Sequence, residues 1–352
     1  MATHSIWIGT FPATGMGTPA GFGEGIWRAE LDADGGLSGL RQVVETPAPT
    51  FLAAHPSGRW LYAVGEDEAG TVSAFEIADD GALLARSTIS SGGSGPCHLT
   101  LAPGARSLYV ANYSSGTLGV VPLADDGAFA GEPNGPAQVF GHEGTGPDAS
   151  RQEGPHAHFV WAEESQVLVA DLGTDAVRRY SVGDDGVLVA AGLAAELPPG
   201  TGPRHLALSP DGRFCFVVGE LDVTLHVLER DGDRFVPART VSLAGDRARR
   251  EEHGWFLPDG GRVLASHVEL LGDRLLVGVR EDDRLEEFRV ASDGTLTATA
   301  THVLGGWPRH FATVGKHVVV AGQSSDEIEV LAPGGSRSAA PLQGPACIVE
   351  VR

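Results

Sequence analysis

Apolar and polar residues alternate along this chain in short bursts, and the bursts recur. Between Gly202 and Glu229, Leu206 and Leu208, then Phe214, Phe216 and Val218, then Leu225 and Val227 fall on every second residue. That period puts alternate side chains on one face of a sheet, and so predicts three short strands. Ser209, Pro210, Asp211 and Gly212 supply the first turn, with proline fixing φ at one corner and glycine free to take positive φ. Two charged groups interrupt the pattern: Arg204 with His205 where the first strand begins, and Glu220 just past the end of the second.

The same unit recurs from end to end. It is seen at residues 5–31, 51–77, 95–121, 154–182, 202–229, 266–290 and 307–331, several copies closing on an Asp-Gly turn such as Asp80-Gly81 or Asp126-Gly127. The spacing of roughly 45 to 60 residues, with a fourth strand after the Asp-Gly turn, fits repeated four-stranded sheets. The fold expected is therefore all-β: one domain over residues 1–352, a seven-bladed β-propeller of four-stranded antiparallel blades. Six or eight blades stay open, because the sixth and seventh units are the most divergent. Residues 347–351 form a lone apolar strand, expected to pair with a strand from the N-terminus and close the ring. Two inserts break the rhythm. Residues 134–153 read as a loop into the fourth blade, and residues 247–261 as a mixed-charge turn or short helix before the sixth; such inserts serve as functional lids or as surface excursions.

Composition narrows the partners. Lys plus Arg number 25 against 46 Asp plus Glu, a net charge of -21. Such a surface repels nucleic acid and anionic membrane, so neither is expected as a partner. No basic region followed by an apolar stretch opens the sequence, and no window approaches the roughly 18 apolar residues of a membrane span, so a soluble, cytoplasmic protein is expected. Cys97, Cys215 and Cys347 share no metal-ligand or redox spacing, and Cys215 lies within an apolar strand, which predicts a core role.

In a propeller the first strand of each blade lines the central channel, so equivalent positions of several units converge. That position carries His98, His158, Arg204 with His205, His267, and Arg309 with His310. The apolar run of the second strand ends at Asn112, Asp171, Glu220, Arg280 and Gln323 in successive units. Together they would line a pocket with bases, amides and three arginines. In an acidic protein, converging arginines focus positive potential on one cleft and suit a small carboxylate or phosphate. Each residue also has a structural reading: an isolated arginine pairs with a neighbouring acid, and a blade histidine bonds to backbone.

At these same residues the chain resembles a known family. Gly154 to His158 (GPHAH), Ala170 to Asp175 (ADLGTD), GPRH with SPDGR and GEL between Gly202 and Leu221, Trp307 to Phe311 (WPRHF), and the opening WIGTF followed by EGIW are similar to the lactonase family of seven-bladed propellers. That family includes propeller-type 6-phosphogluconolactonases and 3-carboxy-cis,cis-muconate lactonising enzymes. The resemblance implies a pocket built on His158, Arg204, Glu220 and Arg280 as catalytic residues. Around them, His156, His205, His267, Arg309, His310, Asp171 and Gln323 are expected to bind substrate. There are departures: Gly219 and Val279 stand where the family carries asparagine, and His267 where it carries an acid.

The expected activity is hydrolysis of a sugar-type lactone bearing an anionic group, 6-phosphogluconolactone first among candidates, with Glu220 or His158 as base and arginines as anchors or oxyanion donors. No cofactor is expected, and no compact ligand motif supports a metal, although Glu220, Asp171 and Asn112 would be oxygen ligands if they converged. A lactonising cyclase acting on a muconate-like diacid, and a non-catalytic propeller that binds a protein or small ligand, are the alternatives. Oligomeric state is not readable.

Overall fold

The seven repeats fold as seven antiparallel sheets in a computed structural model of the chain, which describes residues 3–11, 25–130, 135–183, 186–252 and 254–351. Asp184 and Asp185 of the fourth turn, Glu24 of the opening motif, and Asn134 and His253 of the two inserts lie outside the described residues. Six sheets have four strands and one has six, the architecture of a seven-bladed β-propeller. Among the described residues the helical content is one 3-10 turn, Leu172–Thr174. No helix there is long and apolar enough to cross a membrane.

The chain divides into two compact units. Residues 1–140 with 309–352 hold the first, second, third and seventh blades. The first blade draws on both ends of the chain: strand His4–Thr10 pairs antiparallel with Pro345–Glu350, in the register Ile6 with Glu350 and Ile8 with Ile348. This is the expected closing strand. Cys347 is fully buried here beside Trp7, Leu52 and Leu61, and burial pushes its thiol up to about 12.

Residues 141–308 hold the fourth, fifth and sixth blades. The central strand of the fifth, Phe214–Gly219, shows why the run reads as continuously apolar. Phe214, Phe216 and Val218 enter a core shared with Val263, Val277 and Phe288 of the sixth blade. Cys215 and Val217 face the other way, into a core with Leu168, Ala170 and Val177 of the fourth. Both sheet faces are thus buried, and each large side chain contributes about 1.5–3 kcal/mol. The turn before this strand forms as its residues require: Gly212 takes φ 68°, its N–H donates to Ser209 O (2.8 Å), and Asp211 Oδ1 accepts from the Ser209 hydroxyl (2.6 Å).

The insert at 247–261 is neither turn nor helix. Strands Arg249–Glu251 and Gly254–Phe256 form a hairpin that continues the sixth sheet through Trp255, paired with Val263. Charge obscures its alternation, since Arg249–Glu251 is exposed, while Trp255 of the second strand packs on the core of the fifth and sixth blades.

Candidate active site

The first strands of the third to sixth blades share a defect. Pro96 faces Asn112 and His98 faces Ala111; Ala157 faces Asp171 and Phe159 faces Ala170; Pro203 faces Gly219 and His205 faces Val218; Ala265 faces Val279 and Val268 faces Val277. Cys97, His158, Arg204 and Ser266 are therefore the extra residues of four equivalent β-bulges. A bulge suspends strict alternation and re-aims a side chain. In the fifth blade it lets consecutive residues, Arg204 and His205, serve one buried cluster.

That cluster is centred on Glu220. Its Oε2 lies 2.9 Å from both Arg204 Nε and Arg280 Nη2 in ion pairs, and its Oε1 accepts Arg151 Nη2 at 2.6 Å. The Glu220 and Arg204 side chains are 3% exposed and that of Arg280 4%. Burial alone would raise the Glu220 carboxyl, but the charges of Arg280, Arg151 and Arg204, with His158, outweigh it and hold the group well below the usual carboxylate range. Three guanidiniums thus meet at one carboxylate in a strongly acidic protein.

Each buried arginine is fixed from behind. Arg204 Nη1 donates to Ser266 O (2.7 Å), and Arg280 Nη2 donates to Ala265 O (3.0 Å). Arg280 also lies 5.2 Å from the Trp307 ring centroid. Trp307 itself sits at φ 45°, a costly conformation for a bulky residue, and is pinned there: its N–H donates to Asp283 Oδ1 and its indole Nε1 to Glu281 Oε2, both 2.7 Å.

The histidines form a directional chain. Arg204 Nη1 contacts His205 Nε2 at 3.1 Å, and His205 Nδ1 contacts His267 Nδ1 at 2.8 Å. A guanidinium can only donate, so His205 Nε2 accepts and a neutral His205 carries its proton on Nδ1. His267 Nδ1 then accepts, which puts the His267 proton on Nε2. The rings of His158 and Phe159 lie 5.3 and 4.6 Å from that of His205.

The other expected site residues are distributed elsewhere. Asp171 ends the equivalent strand of the fourth blade, where Oδ2 binds His142 Nδ1 (2.9 Å) and Arg178 Nε (3.1 Å), and Oδ1 accepts the His156 backbone N–H (2.8 Å). The His156 ring is 3.3 Å from Glu153. Arg309, His310 and Gln323 belong to the other compact unit. There Arg309 lies over the Phe11 ring (4.2 Å) and 3.9 Å from Glu66, and His310 Nδ1 accepts the Ile348 N–H (3.2 Å). The Gln323 amide is buried with no hydrogen-bond partner among the described residues. No three His, Cys, Asp or Glu side chains there are grouped to hold a metal ion.

Two participants carried no periodic signal. Arg151 lies in the 134–153 insert, legible only as a long loop. Trp307 opens the WPRHF motif but reads as an ordinary apolar residue. Clefts of about 410 and 430 Å³ open beside Pro147 of the insert, the first walled also by Leu221, Asp222 and Trp255; neither is lined by Glu220 or its three arginines.

The comparisons converge on one family. The profile described as "Lactonase, 7-bladed beta-propeller" matches residues 5–337. A 6-phosphogluconolactonase of Bacillus subtilis is 30% identical over 320 residues, 88% of this chain and 85% of that protein. One of Pectobacterium atrosepticum is 32% identical over 311 residues, 87% of this chain and 86% of the other. Among solved structures, the periplasmic gluconolactonase PpgL of Pseudomonas aeruginosa superposes with a TM-score of 0.88 at 28% identity, covering 100% of this chain and 99% of its own. With a profile match across nearly the whole sequence and relatives of this similarity, the chain belongs to the lactonase family of seven-bladed β-propellers.

Proposed function

We propose that this enzyme hydrolyses a sugar-type lactone carrying an anionic group, with 6-phosphogluconolactone as the first candidate, and that the lactone binds at the Glu220 cluster. The observation that carries this reading is the carboxylate held by three guanidiniums beside a chain of imidazoles. Guanidiniums gathered in this way suit a substrate that is anionic and gains further negative charge as it reacts.

In ring opening, water adds to the lactone carbonyl, the ring C–O bond breaks, and the ring oxygen leaves with a proton, giving the open-chain hydroxy acid. The step needs donors where the carbonyl oxygen gains charge, and a group that takes the water proton and returns it. Arg204 and Arg280 are suited to the first role, because Glu220 and the carbonyls of residues 265 and 266 already orient them; preorganised donors of this kind contribute about 10²–10³ in rate. Glu220, held ionised by its arginines, is a poor proton acceptor and serves as their anchor. His158, on the equivalent bulge of the fourth blade and close enough to Glu220 to act on its ionisation, takes the role of proton acceptor.

The test is a stopped assay against spontaneous hydrolysis. Purified protein is expected to accelerate loss of 6-phosphogluconolactone, and Arg204→Ala and His158→Ala to abolish the excess while remaining folded. No acceleration by the wild type on any anionic lactone would end this reading.

A further inference from the structure

We infer that Asp175 and Asp283 are positioning residues for the Glu220 cluster, the first acting through Gly202 and the second through Trp307; the inference rests on the lactonase reading above. Three aspartates occupy one place in the repeat. Asp175, Asp283 and Asp326 all take left-handed backbone, with φ of 52°, 38° and 54°. The carbonyl of each accepts a leucine N–H, from Leu197, Leu304 and Leu342 in turn. The Oδ1 of each accepts the N–H of the residue just before a proline that opens a strand: Gly202 (2.8 Å) before Pro203–Leu208, Trp307 (2.7 Å) before Pro308–Val314, and Gly344 (2.9 Å) before Pro345–Glu350. The turn itself needs no carboxylate, since the second blade makes it with Gly70, at φ 60° and with its carbonyl accepting Ser91 N–H. Aspartate adds an acceptor that reaches across to the next strand.

What is held differs between the three. Gly202 lies two residues before Arg204, and its carbonyl accepts the Glu220 N–H at 2.8 Å, so one fixed residue sets the backbone of both partners in the ion pair. The position requires glycine: φ is 59°, and a Cβ would meet Leu221 Cγ at 2.5 Å. Asp175 also ties in the insert. Its Oδ1 accepts Gln152 Nε2 (2.7 Å), next to Arg151 whose Nη2 donates to Glu220, and its Oδ2 accepts Gly200 N–H (2.7 Å). Asp283 holds Trp307, over whose ring the Arg280 guanidinium lies, 5.2 Å from the centroid. Asp326 holds the closing strand, Pro345–Glu350, which carries no member of the cluster. Burial raises the carboxyls of Asp175 and Asp283, a cost that the turn alone does not demand.

Asp326→Ala supplies the comparison, because it gives up the same bond in the same turn. All three alanine variants are expected to lower the urea midpoint by similar amounts. On 6-phosphogluconolactone, Asp175→Ala and Asp283→Ala are expected to lose at least about tenfold in kcat, as displaced donors imply, and Asp326→Ala to stay within about twofold of the wild type. Asp283→Asn, which keeps an acceptor for the Trp307 N–H, is expected to restore kcat to within about threefold. Where Asp175→Ala does not fold, Asp175→Asn, which leaves one of the two oxygens, takes the same readings. Equal losses of kcat in all three alanine variants, or kcat kept in Asp175→Ala and Asp283→Ala, overturn the inference. NMR needs no turnover. The Glu220 amide and Arg204 Nε–H resonances are expected to move in Asp175→Ala and the Trp307 indole N–H in Asp283→Ala, with none of them moving in Asp326→Ala; resonances unmoved in the first two variants overturn the inference as well. Moved resonances in a protein that hydrolyses no anionic lactone would refute the lactonase reading and leave this inference standing.

Discussion

Two buried carboxylates, Asp171 in the fourth blade and Glu220 in the fifth, stand one after the other in the repeat and do different work. Asp171 ends the second strand of its blade and Glu220 comes just after that of its own, both are almost fully buried, and both touch arginine. A backbone bond common to three blades shows how they differ. Tyr113 N–H donates to Gly95 O, Leu172 to His156 O and Glu220 to Gly202 O, so Glu220 is the equivalent of Leu172, and Asp171 is the equivalent of Gly219 and Asn112. One residue of offset turns a side chain to the opposite face of a strand. Asp171 accordingly binds its own blade and the preceding loop: one arginine, one histidine and one N–H close its account without surplus charge. Glu220 gathers arginines from three separate elements, the insert, its own first strand and the sixth blade.

The largest expected effect breaks the pair apart by isosteric change. Glu220→Gln removes the anchor of two donors and is expected to cut kcat by about 10²-fold or more. Asp171→Asn should instead cost stability, about 3–5 kcal/mol for a buried ion pair stripped of one partner, with kcat of the folded fraction largely kept. Urea midpoints measured beside kcat on both variants decide this. A reversed pattern, with Asp171→Asn inactive but stable, would place the chemistry in the fourth blade.

Much of this was legible from the period-two pattern, because a strand buried on both faces leaves a continuous apolar run and a turn leaves its Asp-Gly. Seven blades and the closing strand at 347–351 followed from it, and so did the placing of Arg204 and Glu220 at strand ends of one blade. The one-residue offset did not. Asn112, Asp171, Glu220, Arg280 and Gln323 read as one ring because each ends an apolar run, and only backbone register separates them. The four bulges are likewise invisible, since the extra residue is polar in one blade and a cysteine in another. Arg151 was hidden for a different reason: its loop has no period, and its position depends on two side-chain anchors, Gln152 and Asp148, whose partners are distant in sequence. At Gly219 the structure shows why a larger residue is not accommodated as things stand: a Cβ there would meet Asp222 Oδ1 at 2.0 Å.

A smaller effect tests the charge balance through pH. The carboxyls of Glu220 and Asp171 are both held below their ordinary values of 4.5 and 3.8, burial opposing and the neighbouring groups prevailing, the charge of Arg280 first for Glu220 and the hydrogen bond with His142 first for Asp171. A depressed group binds fewer protons folded than unfolded. Its contribution is complete above the ordinary value and is lost as pH falls through the folded one. Stability should therefore decline below about pH 4.5, and the decline should be shallower in Glu220→Gln, which has no such proton to take up. Asp175 works in the opposite sense: burial raises it, so acid relieves part of its cost. Denaturant titrations between pH 3 and 7 measure the slopes, and identical slopes for wild type and Glu220→Gln would mean that the arginines do not hold the carboxylate ionised.

The smallest effect concerns the chain of imidazoles, in which His205 meets His267. If Arg204 donates to His205 Nε2, then His205 must donate through Nδ1, and position 267 need only supply an acceptor, which an imidazole or a carboxylate does equally well. His267→Glu should therefore leave kcat/KM within about twofold, whereas His267→Leu removes the acceptor and should cost about 1 kcal/mol, roughly fivefold. The orientation can be read without turnover from ¹⁵N histidine spectra, which distinguish the two neutral tautomers. The expected pair is Nδ1–H for His205 and Nε2–H for His267. An Nε2–H signal from His205 would mean that Arg204 is not donating to it, and that the buried guanidinium is oriented by Glu220 and Ser266 O without help from His205.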